Sequence, residues 1–298
     1  MLTVLALLLV GVGLGQLRGL PDGAGPVLDA VVIRVSLPAL VLAVVAELEL
    51  DASLLVPVAA AWGSLVVLAA AVWVLARVAR LDRRTTATLL VVVPLSNSSF
   101  LGFPAVEALL GADHLPAAVV YDQLGMFLAI ATYAAIVAAR MGEGPTPSLA
   151  GTVQRVLSFP PFVALLVAVA ANLAGGLPGP VADIADVVGA TVVPLAMLAV
   201  GLRLRFTGDG WRPGLLASAL TLRMVVAPGL VAAAAVTVGG VGTVVWDTSV
   251  LETAMPPMVT AAVVAADAGL DEQLASRLVG VGVVVAMVTL PLWAWWLG

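Results

Sequence analysis

A chain of 298 residues that is 62% hydrophobic and only 10% charged lies far from the composition of a soluble domain, where about a quarter of residues carry charge. Its solvent is lipid, and no stretch is polar enough to form a separate soluble domain. The net charge of −5 and pI of about 4.7 give no reason to expect nucleic-acid binding, and the lack of cysteine excludes disulfides and thiolate metal sites.

Apolar runs of about 20 residues, each enough to cross the hydrocarbon core as a helix, recur along the whole length. In chain order they predict ten spans, at about 2–17, 26–46, 52–76, 85–111, 114–138, 156–174, 181–202, 213–238, 244–268 and 272–297. The first has no basic segment before it and no small-residue cleavage site after it, so it is expected to be a retained span rather than a signal peptide. Turns fall where Gly, Pro and charge gather, as at 18–23 and 208–213. A Gly- and Pro-rich stretch from Met141 to Ser148 divides the chain almost in half. The first five spans (1–140), a linker (141–155) and the last five (156–298) are therefore the expected divisions.

Arginines fix an orientation. The loops after odd-numbered spans hold Arg18; Arg77, Arg80, Arg83 and Arg84; Arg140 and Arg155; Arg203, Arg205 and Arg212; and Arg277. The even-numbered loops and both termini hold none. By the positive-inside rule the odd loops are cytoplasmic and both termini face out, with Trp246 and the Trp293, Trp295, Trp296 cluster at the outer interface. With five spans per half, any repeat between the halves is inverted. The segment Pro38–Glu49 aligns with Pro194–Arg205, and that register carries Gly102-Phe103-Pro104 close to Met255-Pro256-Pro257 after a slip of about three positions.

The fourth and ninth spans are broken near their middles, the fourth by Ser96-Asn97-Ser98-Ser99-Phe100-Leu101-Gly102-Phe103-Pro104 and the ninth by Thr253-Ala254-Met255-Pro256-Pro257. Proline removes a donor and clashes with the preceding turn, and the freed peptide groups need partners where no water is available. Paired breaks in corresponding spans point to a transporter's binding site. Each second half-helix begins near a proline, and its free amides favour an anion such as a carboxylate. Asn97, Ser96, Ser98 and Ser99, facing Thr253 and Thr260, predict a polar, hydrogen-bonding pocket. The plainer reading is that these hydroxyls only satisfy backbone freed at a structural kink.

Ionisable groups at depth are expensive in lipid. Asp122, in the fifth span, and Glu252, just before the second break, are candidates for proton coupling. Arg34 and Arg223 are candidates for balancing a substrate's charge, or for internal ion pairs that merely hold helices together. Glu107 lies near the outer end, and Glu47, Glu49, Asp51, Asp267, Asp271 and Glu272 fall at interfaces where solvation is expected. Gly11 and Gly15 make a G-x-x-x-G, which reads as helix packing. His114 is the only histidine and falls in a short outer turn. No metal, phosphate-loop or nucleophile pattern occurs, so an enzyme has almost no residues to rest on.

Residues 97–104, Asn-Ser-Ser-Phe-Leu-Gly-Phe-Pro, followed by Ala108-Leu109-Leu110-Gly111, resemble the N-T-x-x-x-G-x-P segment of the auxin efflux carrier family. Ala254-Met255-Pro256-Pro257, residues 265–271 and Thr289-Leu290-Pro291-Leu292 resemble that family's C-terminal signature. The likeness spans nearly the whole chain, and only the two break motifs are specific. The family includes plant auxin exporters and prokaryotic permeases assigned to malate, malonate and similar acids. The resemblance implies an all-α polytopic membrane protein of ten helices in two inverted five-helix repeats, with Pro-broken helices 4 and 9 crossing. Helices 1, 2, 6 and 7 would form a scaffold, and helices 3–5 and 8–10 a mobile transport domain. It also implies that Asn97 contacts a substrate carboxylate, with Gly102, Pro104, Pro256 and Pro257 shaping the site. Ser98-Ser99 departs from the family's usual Thr-Gly or Thr-aliphatic pair, and Pro256-Pro257 from the plant Pro-Gln.

The expected function is a secondary carrier moving a small organic anion across the cytoplasmic membrane by alternating access. No cofactor or metal is expected beyond a coupling H+ or Na+. The expected partners are the substrate, the bilayer and a second copy in a homodimer. Two alternatives are a sodium-coupled symporter of the bile acid type, which shares the crossed-helix architecture, and a membrane receptor sensing the same ligand.

Overall fold

The computed structural model describes residues 2–16, 21, 23–143, 148–203 and 212–298. Arg18 and Arg205, the turn at 208–211 and linker positions 144–147 lie outside the described residues. The helices, in chain order, are α1 (Leu2–Gln16), α2 (Ala24–Val45), α3 (Ala52–Val78), α4 (Arg83–Val92), α5 (98–109), α6 (Ala112–Met141) and α7 (Leu149–Leu157). They continue with α8 (Pro160–Leu173), α9 (Gly179–Leu202), α10 (Pro213–Val238), α11 (Val244–Thr253), α12 (Val259–Asp267) and α13 (Glu272–Leu297). Among the described residues there is no strand, only an isolated antiparallel bridge between Ser96 and Pro257.

Six helices (α2, α3, α6, α9, α10 and α13) are long and apolar enough to cross a membrane, and up to seven if α7 and α8, bent by 64°, count as one. The chain is thus an all-helical, multi-pass membrane protein. The expected linker at 141–155 is not all loop. Ser148 caps α7 by accepting from the Gly151 amide, and α7 leaves Leu149, Val153 and Leu157 exposed. The chain then turns at Phe159-Pro160-Pro161, where proline suits the first turn of α8 and cannot continue α7.

Lipid tails are as apolar as leucine, so close packing rather than water exclusion holds such helices together, and small residues serve it best. The glycine pattern in α1 works this way. A Cβ on Gly11 would strike the Leu198 carbonyl and the Gly201 Cα of α9, and one on Gly201 would strike the Leu8 carbonyl. Helix α2 packs on α8 and α9. Gly189 of α9 abuts the backbone of Leu40, and Ser36 shares a hydroxyl hydrogen bond of 2.7 Å with Thr191. At the end of α2, Asn172 Nδ2 from α8 donates to the carbonyls of Val45, Ala46 and Leu48 at 3.2, 3.1 and 2.7 Å, partners for groups that a helix end leaves open. Helices α3, α4, α6 and α10–α13 pack mainly among themselves, and α5 meets α9 across the seam.

Three π turns have one cause. Val32–Ser36, Ser98–Gly102 and Leu222–Val226 each end two residues before a proline, at Pro38, Pro104 and Pro228. Proline has no N–H to give the carbonyl four residues back and clashes with it, so the preceding turn widens. The carbonyl that Pro228 cannot reach belongs to Met224, and the Trp293 indole N–H donates to it at 3.0 Å. These turns carry Ile33, Ser99 and Arg223. A fourth, Tyr121–Met126 in α6, carries Asp122.

Candidate functional site

The two breaks meet. Helix α4 stops at Val92 and α11 at Thr253, each ten residues long, and the chain segments that follow run antiparallel. The Asn97 amide donates to the Pro256 carbonyl at 2.9 Å, and the Met258 amide to the Leu95 carbonyl at 2.9 Å. Peptide groups freed by each break therefore find partners in the other, which answers the cost of breaking a helix in lipid. The bridge pairs Ser96 with Pro257, each at the same distance from the first residue of its half-helix. In sequence, the register of the two halves sets Pro104 against Pro257. Pro104 belongs to the regular part of α5, while Pro256 and Pro257 form the break itself.

Beyond the bridge α5 and α12 begin. The first backbone bonds of α5 run from the Leu101 and Gly102 amides to the Asn97 carbonyl, so the amides of residues 98–100 are those a helix start leaves free. A cavity of about 230 Å³ opens there, lined by Asn97, Ser99, Phe100, Asp122, Met258 and Thr260 among others. Both new N-terminal ends thus face one space. The Asn97 side chain is buried, and its amide nitrogen has no partner among the described residues. The remaining wall is apolar, with Ile33 and Leu37 of α2, Phe127 and Ile130 of α6, and Phe159; Phe127 and Phe159 stack with centroids 4.1 Å apart. Arg155 of α7 stands in the lining and is exposed.

Asp122 is held by donors from three residues. Its Oδ1 accepts from the Ser98 and Ser99 hydroxyls at 2.5 and 2.6 Å, and its Oδ2 from Gln123 Nε2 at 2.8 Å. These bonds tie the start of α5 to α6. Behind the bridge, the wholly buried Arg223 donates from Nε to the Met255 carbonyl at 3.0 Å and from Nη1 to the Pro94 carbonyl at 3.2 Å. These carbonyls follow the C-terminal ends of α11 and α4, where a cation is electrostatically favoured. Glu252, also wholly buried, has no hydrogen-bond partner on either carboxylate oxygen among the described residues. Its carboxylate lies where a Cβ on Gly102 would be.

A second cavity, of about 830 Å³, reaches α5 from the other side as far as Phe103 and Glu107. Glu47, Glu49, Asp113 and Asp186 give it an acidic rim. Phe100 lines the first cavity and Phe103 the second, so α5 is the partition between them.

The expected residues therefore divide. Asn97, Ser99, Thr260 and Asp122 share the first cavity. Ser96, Ser98, Thr253, Pro256 and Pro257 are buried in or behind the crossing, with Thr253 hydrogen-bonded to Tyr121 at 3.2 Å. Gly102 and Pro104 are buried in α5, and Arg223 and Glu252 flank the crossing from behind. Arg34 is exposed on α2 and does not join them. Sequence reasoning missed Arg155, counted only as a loop charge, and the aromatic wall of Phe100, Phe127 and Phe159. The Phe159-Pro160-Pro161 corner was the one available signal that α7 turns back toward the site.

The membrane transport protein family matches residues 1–294 of the chain. The chain belongs to that family. It is also 31% identical over 301 aligned residues to an uncharacterized transporter of Methanothermobacter thermautotrophicus, covering 98% of this chain and 96% of that protein. The resemblance to the auxin efflux carriers holds over the full length. This membrane transport protein is a transporter and not an enzyme.

Proposed function

We propose that the protein is a secondary carrier for a small organic anion, working by alternating access at the crossing of its two broken spans. The observation that carries this reading is the cavity that both half-helix N-terminal ends share, with Asn97, whose buried amide nitrogen has no partner among the described residues, in its wall. Free amides at helix starts favour a carboxylate, and Arg155 adds a positive charge to the lining. The Asp122 charge in the same lining is partnered by Ser98, Ser99 and Gln123, which reduces its repulsion of an anion. In this reading the ten apolar segments are ten spans in two inverted repeats. Helices α1, α2, α8 and α9 serve as scaffold and the remaining spans as the moving unit, with α5 the partition carried between two access routes. The arginine distribution supports an orientation with both termini outside the cytoplasmic membrane and the Asn97 cavity toward the cytoplasm.

The sodium-symporter alternative needs carbonyls free to bind a cation at the crossing. Those of Pro94 and Met255 accept from Arg223 instead, which favours a carrier without sodium. The receptor alternative lacks an output surface, since the loops are short.

The test is thermal stabilisation of the purified protein by a panel of mono- and dicarboxylates, with and without sodium and at two pH values. A ligand that binds only the folded state at a hundred times its Kd adds about 2.7 kcal/mol. Stabilisation by a carboxylate, independent of sodium and lost in Asn97→Ala, is expected. Sodium-dependent stabilisation, or a ligand shift that Asn97→Ala leaves intact, would overturn the assignment.

A further inference from the structure

We propose that Glu252 is the proton-carrying group of this carrier, with Asp122 and Arg223 as fixed charges on either side of it. The two carboxylates contrast sharply. Every neighbour bonded to Asp122 is a donor, two hydroxyls and one amide, all between 2.5 and 2.8 Å. Glu252 is just as deeply buried and has no donor on either oxygen. A lone ionised carboxylate without hydrogen bonds is among the most costly groups to bury, and taking up a proton relieves that cost.

The surrounding charges agree. Those that act on Glu252 are Asp122 from α6 and Arg223 from α10. Tyr121 of α6 lies beside the same cluster, with its hydroxyl bonded to Thr253. Around α11, α6 also brings Asp113 and His114 at its start, near Asp247 in the first turn of α11 itself, α3 carries only Arg77 in its last turn, α13 only Glu272 and Arg277 in its first turns, and α5 only Glu107, which is exposed. Arg223 gives its Nε and Nη1 hydrogens to the Met255 and Pro94 carbonyls, while its Nη2, like the Glu252 carboxylate, has no hydrogen-bond partner among the described residues. With Glu252 protonated, the buried trio of Asp122, Glu252 and Arg223 is neutral; with Glu252 ionised it carries one negative charge. An incoming anion is favoured by the neutral trio, so proton and anion binding reinforce each other reciprocally.

Glu252 lines neither cavity but sits between them. The Glu252 carboxylate rests against Gly102. The next residue, Phe103, lines the acid-rimmed cavity, and Ser99, one turn earlier, lines the Asn97 cavity. A proton at Glu252 thus lies at the partition between the two routes. Gly102 is the residue that leaves room for it, because a Cβ there would collide with the carboxylate.

The inference rests on the carrier reading for its role in transport, but the protonation itself can be read without any substrate. The probe is the infrared C=O stretch of a protonated carboxylic acid, followed against pH in purified, lipid-reconstituted protein. A band is expected that disappears in Glu252→Gln, survives in Asp122→Asn and shifts in Gly102→Ala. If Glu252→Gln fails to fold, Glu252→Asp serves in its place, moving the band and its titration midpoint. A band unchanged by every substitution at Glu252, a band lost in Asp122→Asn alone, or no protonated carboxyl at any pH would overturn the proposal. Carboxylate stabilisation measured on the same samples reports separately on the carrier reading. Its absence beside an intact Glu252 band would count against transport and not against the proton site.

Discussion

Replacing Arg223 by leucine tests the account of the crossing most directly. The substitution leaves the Met255 and Pro94 carbonyls, now accepting at 3.0 and 3.2 Å, without donors in a site closed to water. Each orphaned buried carbonyl costs about 1–3 kcal/mol, so the pair costs about 2–6 kcal/mol. Leucine returns some packing, while the positive charge near Glu252 disappears, and breaking a buried charge arrangement costs about 3–5 kcal/mol. These effects overlap, and a net loss of about 4 kcal/mol, at the extreme of single substitutions, is the expected outcome. Thermal unfolding of purified protein in one detergent, with Arg34→Leu as the exposed comparison, measures it. Arg34→Leu is expected to shift stability by less than about 0.5 kcal/mol. Adding Glu252→Gln to Arg223→Leu should give a total that differs from the sum of the two single changes, a non-additivity expected of groups in one network. An Arg223→Leu protein within about 1 kcal/mol of the parent would refute the idea that this guanidinium supports both half-helix ends.

Other outcomes follow from the same geometry. Asp82 caps α4 by accepting from the Thr85 amide and hydroxyl at 2.9 and 2.7 Å, and these bonds hold its carboxyl below the usual range. Because the folded value is depressed, the stabilisation is complete above the unfolded carboxylate value of about 3.9 and is lost as pH falls through the folded one. At neutral pH Asp82→Ala should cost about 0.5–1 kcal/mol, at the lower end for a cap because the site is exposed, and in strong acid it should cost nothing; melting curves against pH check both. Asn172→Ala opens three carbonyls at the end of α2. A loss of about 1–2 kcal/mol is expected, with hydrogen exchange rising first around residues 45–48. Asn97→Ala removes a buried amide nitrogen that has no partner while keeping the backbone bridge to Pro256. Ligand-free stability should therefore stay within about 1 kcal/mol of the parent or rise, as thermal unfolding without ligand will report.

Much of the architecture was legible in sequence because lipid imposes simple rules. Backbone groups must be satisfied within each span, so hydropathy alone located the apolar segments at 26–46, 52–76, 114–138, 181–202, 213–238 and 272–297, close to the helices observed. Proline and glycine carry local signals of similar strength. They placed both breaks and the α1 packing stripe, since the missing N–H and the missing Cβ act within a turn of the residue. The membrane transport protein family was legible for the same reason, through the short break motifs. Helix α7 was not, because its nine residues are amphipathic and lie beside a Gly- and Pro-rich stretch that reads as a loop.

Which group faces which could only be settled by the tertiary structure. Asp122 and Glu252 looked alike in sequence, two carboxylates at depth; packing gave one of them donors from three residues and the other none. Arg34 and Arg223 looked alike as well, until the packing of α2 left one exposed and that of α10 drove the other between two carbonyls. The register of the crossing was likewise beyond the one-dimensional pattern, because it depends on Asn97 and Met258 donating across a span-to-span contact. Hydropathy and proline act through the chain's own neighbourhood; partner, depth and charge depend on residues that packing brings together from separate helices.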